Sequence, residues 1–138
     1  MNTHLISATT LVQAPIETVW ACWTDPGHIK NWNNPSDDWH TPHAENDVRP
    51  GGKFLFVMKA KDGSEGFNFE GVYNEVIRYE KLSYTTTDSR KTTDLFETAD
   101  NGIKITELFE PDANMPVEAQ QKFCAGVLNT FKRYVEQL

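Results

Sequence analysis

The sequence predicts an α+β domain, an antiparallel sheet of six or seven strands closed by one long helix. Three observations carry this. Residues 116–138 form a wide apolar stripe at helical spacing. Several stretches before it alternate apolar and polar residues at the period of two that strands require. Short turns join those stretches, and strands joined that way run antiparallel. A lone long helix must bury its stripe, and the sheet is the one surface available to it.

The elements follow in order. Residues 5–12, rich in threonine and β-branched side chains, read as a first strand. Ala14-Pro15 opens a short helix on which Ile16, Val19, Trp20 and Trp23 share a face. Asp25-Pro26, an N-cap acid followed by proline at N1, starts a second, whose apolar face continues with Ile29 and Trp32. Asn33-Asn34-Pro35 ends it. Residues 33–52 are the least regular part, with one short strand expected near 44–48.

Pro50-Gly51-Gly52 turns the chain into a strand over 53–61, where Phe54, Phe56 and Met58 face one way. A turn at Asp62-Gly63 leads to 67–78, where Phe67, Phe69, Gly71 and Tyr73 alternate against Asn68, Glu70, Val72 and Asn74. Leu82, Tyr84 and Thr86 mark the next strand. Residues 92–98 and 103–110 form a hairpin through Asp100-Asn101-Gly102, and 110–116 is a loop. In the closing helix Phe123, Cys124, Val127, Leu128, Phe131, Tyr134, Val135 and Leu138 fall within an arc of roughly 140°. Pro116 suits its first position, where a missing N–H costs nothing. No repeat or linker interrupts the chain, so one domain over 1–138 is expected.

The chain has 138 residues and a formal charge of −7. That balance argues against nucleic acid, which needs a basic footprint, and against anionic membrane surfaces. The longest apolar run, 54–58, falls far short of the ~20 residues that cross a bilayer. Met1-Asn2-Thr3-His4 lacks the basic and apolar regions of a secretory leader. Cys22 and Cys124 stand in no metal or redox spacing, and are expected to serve as small apolar residues on helices. A reducing, cytoplasmic setting is the simplest reading.

Five stretches together resemble a known family. They are Ala14-Pro15-Ile16-Glu17-Thr18-Val19-Trp20; Thr24-Asp25-Pro26 with Ile29 and Trp32; Asp47-Val48-Arg49-Pro50-Gly51-Gly52-Lys53-Phe54; Phe69-Glu70-Gly71-Val72-Tyr73-Asn74-Glu75-Val76; and Leu128-Asn129-Thr130-Phe131-Lys132-Arg133-Tyr134-Val135. The chain resembles the helix-grip fold of the START and birch-pollen-allergen-like superfamily, and more narrowly the bacterial relatives of the activator of heat-shock ATPase. The resemblance implies a curved sheet gripping the last helix, often with an apolar cavity between them. It is specific for fold and poor for function, because the superfamily hosts carriers, cyclases, receptors and members with no assigned role.

For such a cavity the sequence offers Phe54, Phe56, Met58, Phe67, Phe69, Tyr73 and Tyr84 from strands, and Phe123, Val127 and Phe131 from the helix. Gly71 removes a side chain among them, leaving room or a sharper bend. Either these rings surround a space or they close-pack and leave none. Two acids fall on apolar strand faces, Glu75 in the Phe67/Tyr73 register and Glu107 in the Ile103/Ile105/Phe109 register. Inside a cavity either would be a candidate proton donor. Otherwise Glu75 ends a strand, and Glu107 reaches solvent or a base such as Arg49. Gln120, in the middle of the helix's apolar arc, either bonds a ligand at the mouth or sits in a frayed first turn. Trp39 has no helical packing reason and is the candidate for a cavity rim or partner contact.

His40-Thr41-Pro42-His43 with its neighbouring acids has no telling metal spacing, so no metal is expected. Phosphate-loop, dinucleotide and hydrolase motifs are absent, and no cofactor is expected. Three functions rank in order. The first is non-catalytic binding of a small apolar or amphipathic molecule. The second is a protein-interaction module with a chaperone partner, and the third a cyclase- or dehydratase-like enzyme using a cavity carboxylate. The expected assembly is a monomer or a homodimer.

Overall fold

The computed structural model describes residues 5–138. Residues 1–4, read above for a leader, lie outside it. The order is β1 (Ile6–Val12), α1 (Ile16–Thr24), α2 (Pro26–Trp32), β2 (Trp39–Asn46), β3 (Lys53–Ala60), β4 (Gly66–Ile77), β5 (Lys81–Thr86), β6 (Lys91–Ala99), β7 (Gly102–Phe109) and α3 (Val117–Glu136). All seven strands join one antiparallel sheet in the order β1-β7-β6-β5-β4-β3-β2. The sheet curls into a half-barrel around α3, which is the helix-grip arrangement that the stripe and the resemblance predicted.

The local chemistry explains the element ends. Asp25 caps α2 by accepting from Gly27 N at 2.8 Å, and Pro26 takes the first helical position. Pro116 sits one place earlier than predicted. Its ψ of 139° makes it the N-cap of α3, not the first helical residue. β2 is longer than the short strand expected near 44–48. Pro42 concealed it, since proline breaks an interior strand, but β2 is an edge and the ladder shifts register between His40 and His43.

α3 lies along β1 and α2 against β2, so each sheet edge has a helix beside it. Lys132 Nζ donates to Leu11 O at 2.6 Å, and Gln13 N donates to Glu136 Oε2 at 2.8 Å. A cluster of aromatic rings joins α1, α2 and the C-terminal half of α3. Trp23 stacks on Trp32 with ring centres 5.0 Å apart, and Phe131 meets both edge-on at 5.0 and 4.7 Å. Trp20 meets Phe96 at 5.3 Å. Trp32 spends its one N–H on Cys22 O at 2.8 Å, so its burial leaves no unpaired donor. Both cysteines are buried and unpaired, Cys22 on α1 and Cys124 on α3.

Candidate functional site

The N-terminal half of α3 meets the sheet through Cys124, whose thiol reaches Glu107 on β7, and leaves a space beside that contact. A pocket of about 440 Å³ lies between helix and sheet. Its sheet side is Phe54, Phe56 and Met58 of β3, Phe67, Phe69 and Tyr73 of β4, and Leu82 and Tyr84 of β5, followed by Asp94 of β6 and Glu107 and Phe109 of β7. Its helix side is Gln120, Phe123, Cys124, Val127 and Leu128. Trp23, Trp32 and Asn33 close one end, and Arg90, Asp112 and Met115 stand at loops beside it. The rings of Phe54, Phe56, Tyr73 and Tyr84 support one another, with Phe54 4.8 Å from Tyr84 and 5.3 Å from Tyr73. Gly71 makes this possible. A Cβ there would come 2.5 Å from Thr85 O and 3.0 Å from the Phe54 ring, so Phe54 takes the room that the missing side chain leaves.

Three of the predicted lining residues lie elsewhere. Glu75 points away from the pocket, is 46 % exposed, and pairs with Lys81 Nζ at 2.8 Å. The cause is a bulge: register shifts between Tyr73 and Glu75, and the extra residue puts Val76 where the simple alternation put Glu75. Phe131 is fully buried against Trp23 and Trp32, in the closed part of the interior. Trp39 does not touch the pocket but braces two residues that do, with ring centres 5.9 Å from Phe67 and 6.2 Å from Phe123. Phe67 is itself exposed, which puts this aromatic trio at the rim.

Gln120 follows neither expectation. It is buried, and its amide fastens the loop before α3: Nε2 donates to Asp112 O at 2.8 Å and Met115 O at 2.9 Å, while Oε1 accepts from Asp112 N at 2.8 Å. Arg49 does not meet Glu107, because its guanidinium is held by Asp47 at 2.9 Å. His43 pairs with Glu45 at 2.7 Å on exposed β2. Among the described residues, no group of three or more His, Cys, Asp and Glu is gathered as a metal would need.

The polar end of the pocket holds an acid pair. Asp94 and Glu107 stand directly opposite each other on β6 and β7. The Cys124 thiol donates to Glu107 Oε2 at 2.8 Å. Asp94 is 1 % exposed, and its Oδ1 has no donor among the described residues. Burial above all, then the charge of Glu107 and a hydrogen bond to it, holds the Asp94 carboxyl well above the ordinary carboxylate range. That environment favours the protonated, neutral form of Asp94. Burial, with the same two acids, also pushes the Tyr84 hydroxyl upward. Cys124 is pushed up by burial and by Glu107, which favours the thiol over the thiolate. Asn33 Nδ2 is the other buried polar atom without a partner among the described residues, and its side chain also lines the pocket.

The sequence reading missed Asp94, although a signal was present. Thr92, Asp94 and Phe96 alternate and are all buried, so Asp94 shares the inward face with Phe96.

The family described as "Activator of Hsp90 ATPase homolog 1-like protein" matches residues 13–138. The chain belongs to this family. Solved structures agree with the assignment. The AHSA1-like protein from Aeromonas hydrophila is 38% identical, with a TM-score of 0.89 over 96% of this chain and 92% of that one. A protein from Cytophaga hutchinsonii is 41% identical, with a TM-score of 0.82 over 96% and 92% of the two chains. A protein from Chromobacterium violaceum, at 22% identity, shares the fold alone, with a TM-score of 0.86 over 96% and 98%. Among curated proteins no relative matches. Membership of the activator-like family accounts for the half-barrel and its long helix; the fold leaves the chemistry of the pocket to particular side chains. Among the described residues, no helix is long and apolar enough to cross a membrane.

Proposed function

We propose that this chain binds a small apolar or amphipathic molecule between the sheet and the N-terminal half of α3. The observation that supports the reading most is the pocket itself. About 440 Å³ lies within the ~300–1,000 Å³ range of small-molecule sites. The lining is mainly rings and aliphatic side chains, with a few polar groups at one end, the usual division between body recognition and orientation. Packed interiors leave few voids larger than a water, so a space of this size in a small domain is a departure from the rule.

Titration with N-phenylnaphthylamine, a neutral apolar fluorophore, tests the reading. Saturable enhancement at one molecule per chain is expected, and Val127→Trp, which puts an indole into the space, should abolish it while the chain stays folded. No saturable enhancement in the parent chain would end the proposal.

The family's description favours a second reading, a contact with the Hsp90 ATPase. Calorimetric titration of that ATPase at low salt distinguishes the two. Heat of binding that survives Val127→Trp would favour the protein partner.

A further inference from the structure

We infer that the pocket takes an amphipathic amine, its apolar body among the aromatic rings and its protonated nitrogen seated between Asp94 and Glu107. The inference rests on the ligand-binding reading and adds the chemistry of the ligand's head group.

The geometry of the acid pair is the first support. Asp94 lines the pocket, is almost wholly buried, and has an oxygen without a hydrogen-bond partner among the described residues. Leaving such an acceptor unpaired is costly, so the site is built for a donor that the chain does not supply. The groups facing Asp94 from the packed elements confirm the deficit. They are Glu107 on β7, Tyr84 on β5, Tyr73 on β4 and Cys124 on α3, and none is a cation. Tyr73 gives its hydroxyl proton to Asn46 Oδ1 at 2.6 Å, and Cys124 gives its own to Glu107.

The charge of the lining is the second support. Asp94, Glu107 and Asp112 set three carboxyl groups against one guanidinium, that of Arg90. Arg90 is already taken, with Nε donating to Asp88 Oδ2 at 2.6 Å. An anionic head group would find no free cation in this lining, whereas an ammonium meets two acceptors at once. Charge-assisted bonds of that kind are roughly twice as strong as neutral ones.

The exchange balances. In the empty pocket burial favours the protonated form of the Asp94 carboxyl. An incoming ammonium donates N–H bonds to both carboxylates, and the displaced proton passes to the buffer. One cation enters as one proton leaves, so the net charge at the buried pair is unchanged. The bound state holds one proton fewer on the protein, so affinity rises with pH until the amine loses its own proton.

Calorimetric titrations of the full chain at neutral pH test this, with naphthylethylamine, naphthylethanol and naphthylacetate as probes of nearly equal apolar body. Each is run in phosphate and in Tris, whose ionisation enthalpies differ. The amine is expected to bind at least about tenfold more tightly than the alcohol, with the acetate weakest. Its apparent enthalpy should differ between buffers by the heat of about one proton released. Asp94→Asn should remove both the preference and the proton release, and Glu107→Gln provides the same readout should the first variant fold poorly. An alcohol bound as tightly as the amine, or amine binding insensitive to buffer and to both variants, would overturn the inference. If N-phenylnaphthylamine binds and the amine does not, this inference alone falls; if neither binds, the cavity reading falls and takes it along.

Discussion

The two halves of α3 carry one apolar stripe and meet opposite surroundings. The C-terminal half places Phe131 into a stack of tryptophans, with Val135 buried beside it. The N-terminal half presents Phe123 to an open space, as does Val127 at the midpoint, both only partly buried. The stripe does not cause the difference. α1 and α2 fill one end of the half-barrel with Trp20, Trp23 and Trp32, and no comparable element fills the other. An amphipathic helix therefore reports that a partner surface exists, and its neighbours decide whether contact is closed.

The comparison can be broken most severely at its closed end. Phe131→Ala should cost about 3–5 kcal/mol, because the ring leaves a cavity that three helices cannot easily collapse. Denaturant unfolding measures it. Phe123→Ala belongs beside it as the control and should cost only about 1 kcal/mol, since the ring already borders a space. Equal losses would mean that the two halves are not differently packed.

Asp94→Asn should act in the other direction, stabilising the chain at neutral pH. The sign follows from protonation. Burial raises the Asp94 carboxyl in the folded state. As pH climbs past the ordinary carboxylate value, the unfolded chain ionises while the folded chain does not. Stability then falls by up to about 1.4 kcal/mol for each pH unit until the folded group also ionises. Asparagine has no such penalty, so its advantage should vanish in acid and grow toward neutral pH. Thermal melts across that range would show it, and a variant less stable at every pH would contradict the acid pair's protonation. The smallest effect belongs outside the pocket. Glu75→Ala removes a solvent-exposed ion pair with Lys81 and should change stability by no more than about 0.5 kcal/mol, leaving probe binding unaltered.

What could be read from the sequence divides along physical lines. The closing helix was legible because seven apolar residues at one period admit few alternatives; the eighth, Leu138, lies past the end of α3 and is exposed. Most pocket rings were legible for the same reason, with Phe54, Phe56 and Met58 alternating in a strand without irregularity. Glu75 was misplaced because one extra residue at a bulge, Asn74, reverses the side chains beyond it, and a single Asn inside an alternating strand reads as an outward polar residue. Phe131 had the right periodicity and the wrong neighbours, which depend on where α1 and α2 fold back. Asp94 was hidden by its chemistry: a charged residue on a strand is ordinarily assigned to solvent, and only its alternation with Thr92 and Phe96 says otherwise.

The sheet's open ends have a further consequence, for self-association. An incomplete barrel has two unpaired edges, here β1 and β2, and an unpaired edge is a template on which another chain can continue the ladder. Both are obstructed. β2 carries Pro42, which has no N–H to offer, and a register shift that spoils the straight row of groups. Along β1, Lys132 occupies the carbonyl of Leu11, and just beyond its end Glu136 holds the N–H of Gln13. The helix that the half-barrel grips thus also withholds part of that edge from any strand that would extend it.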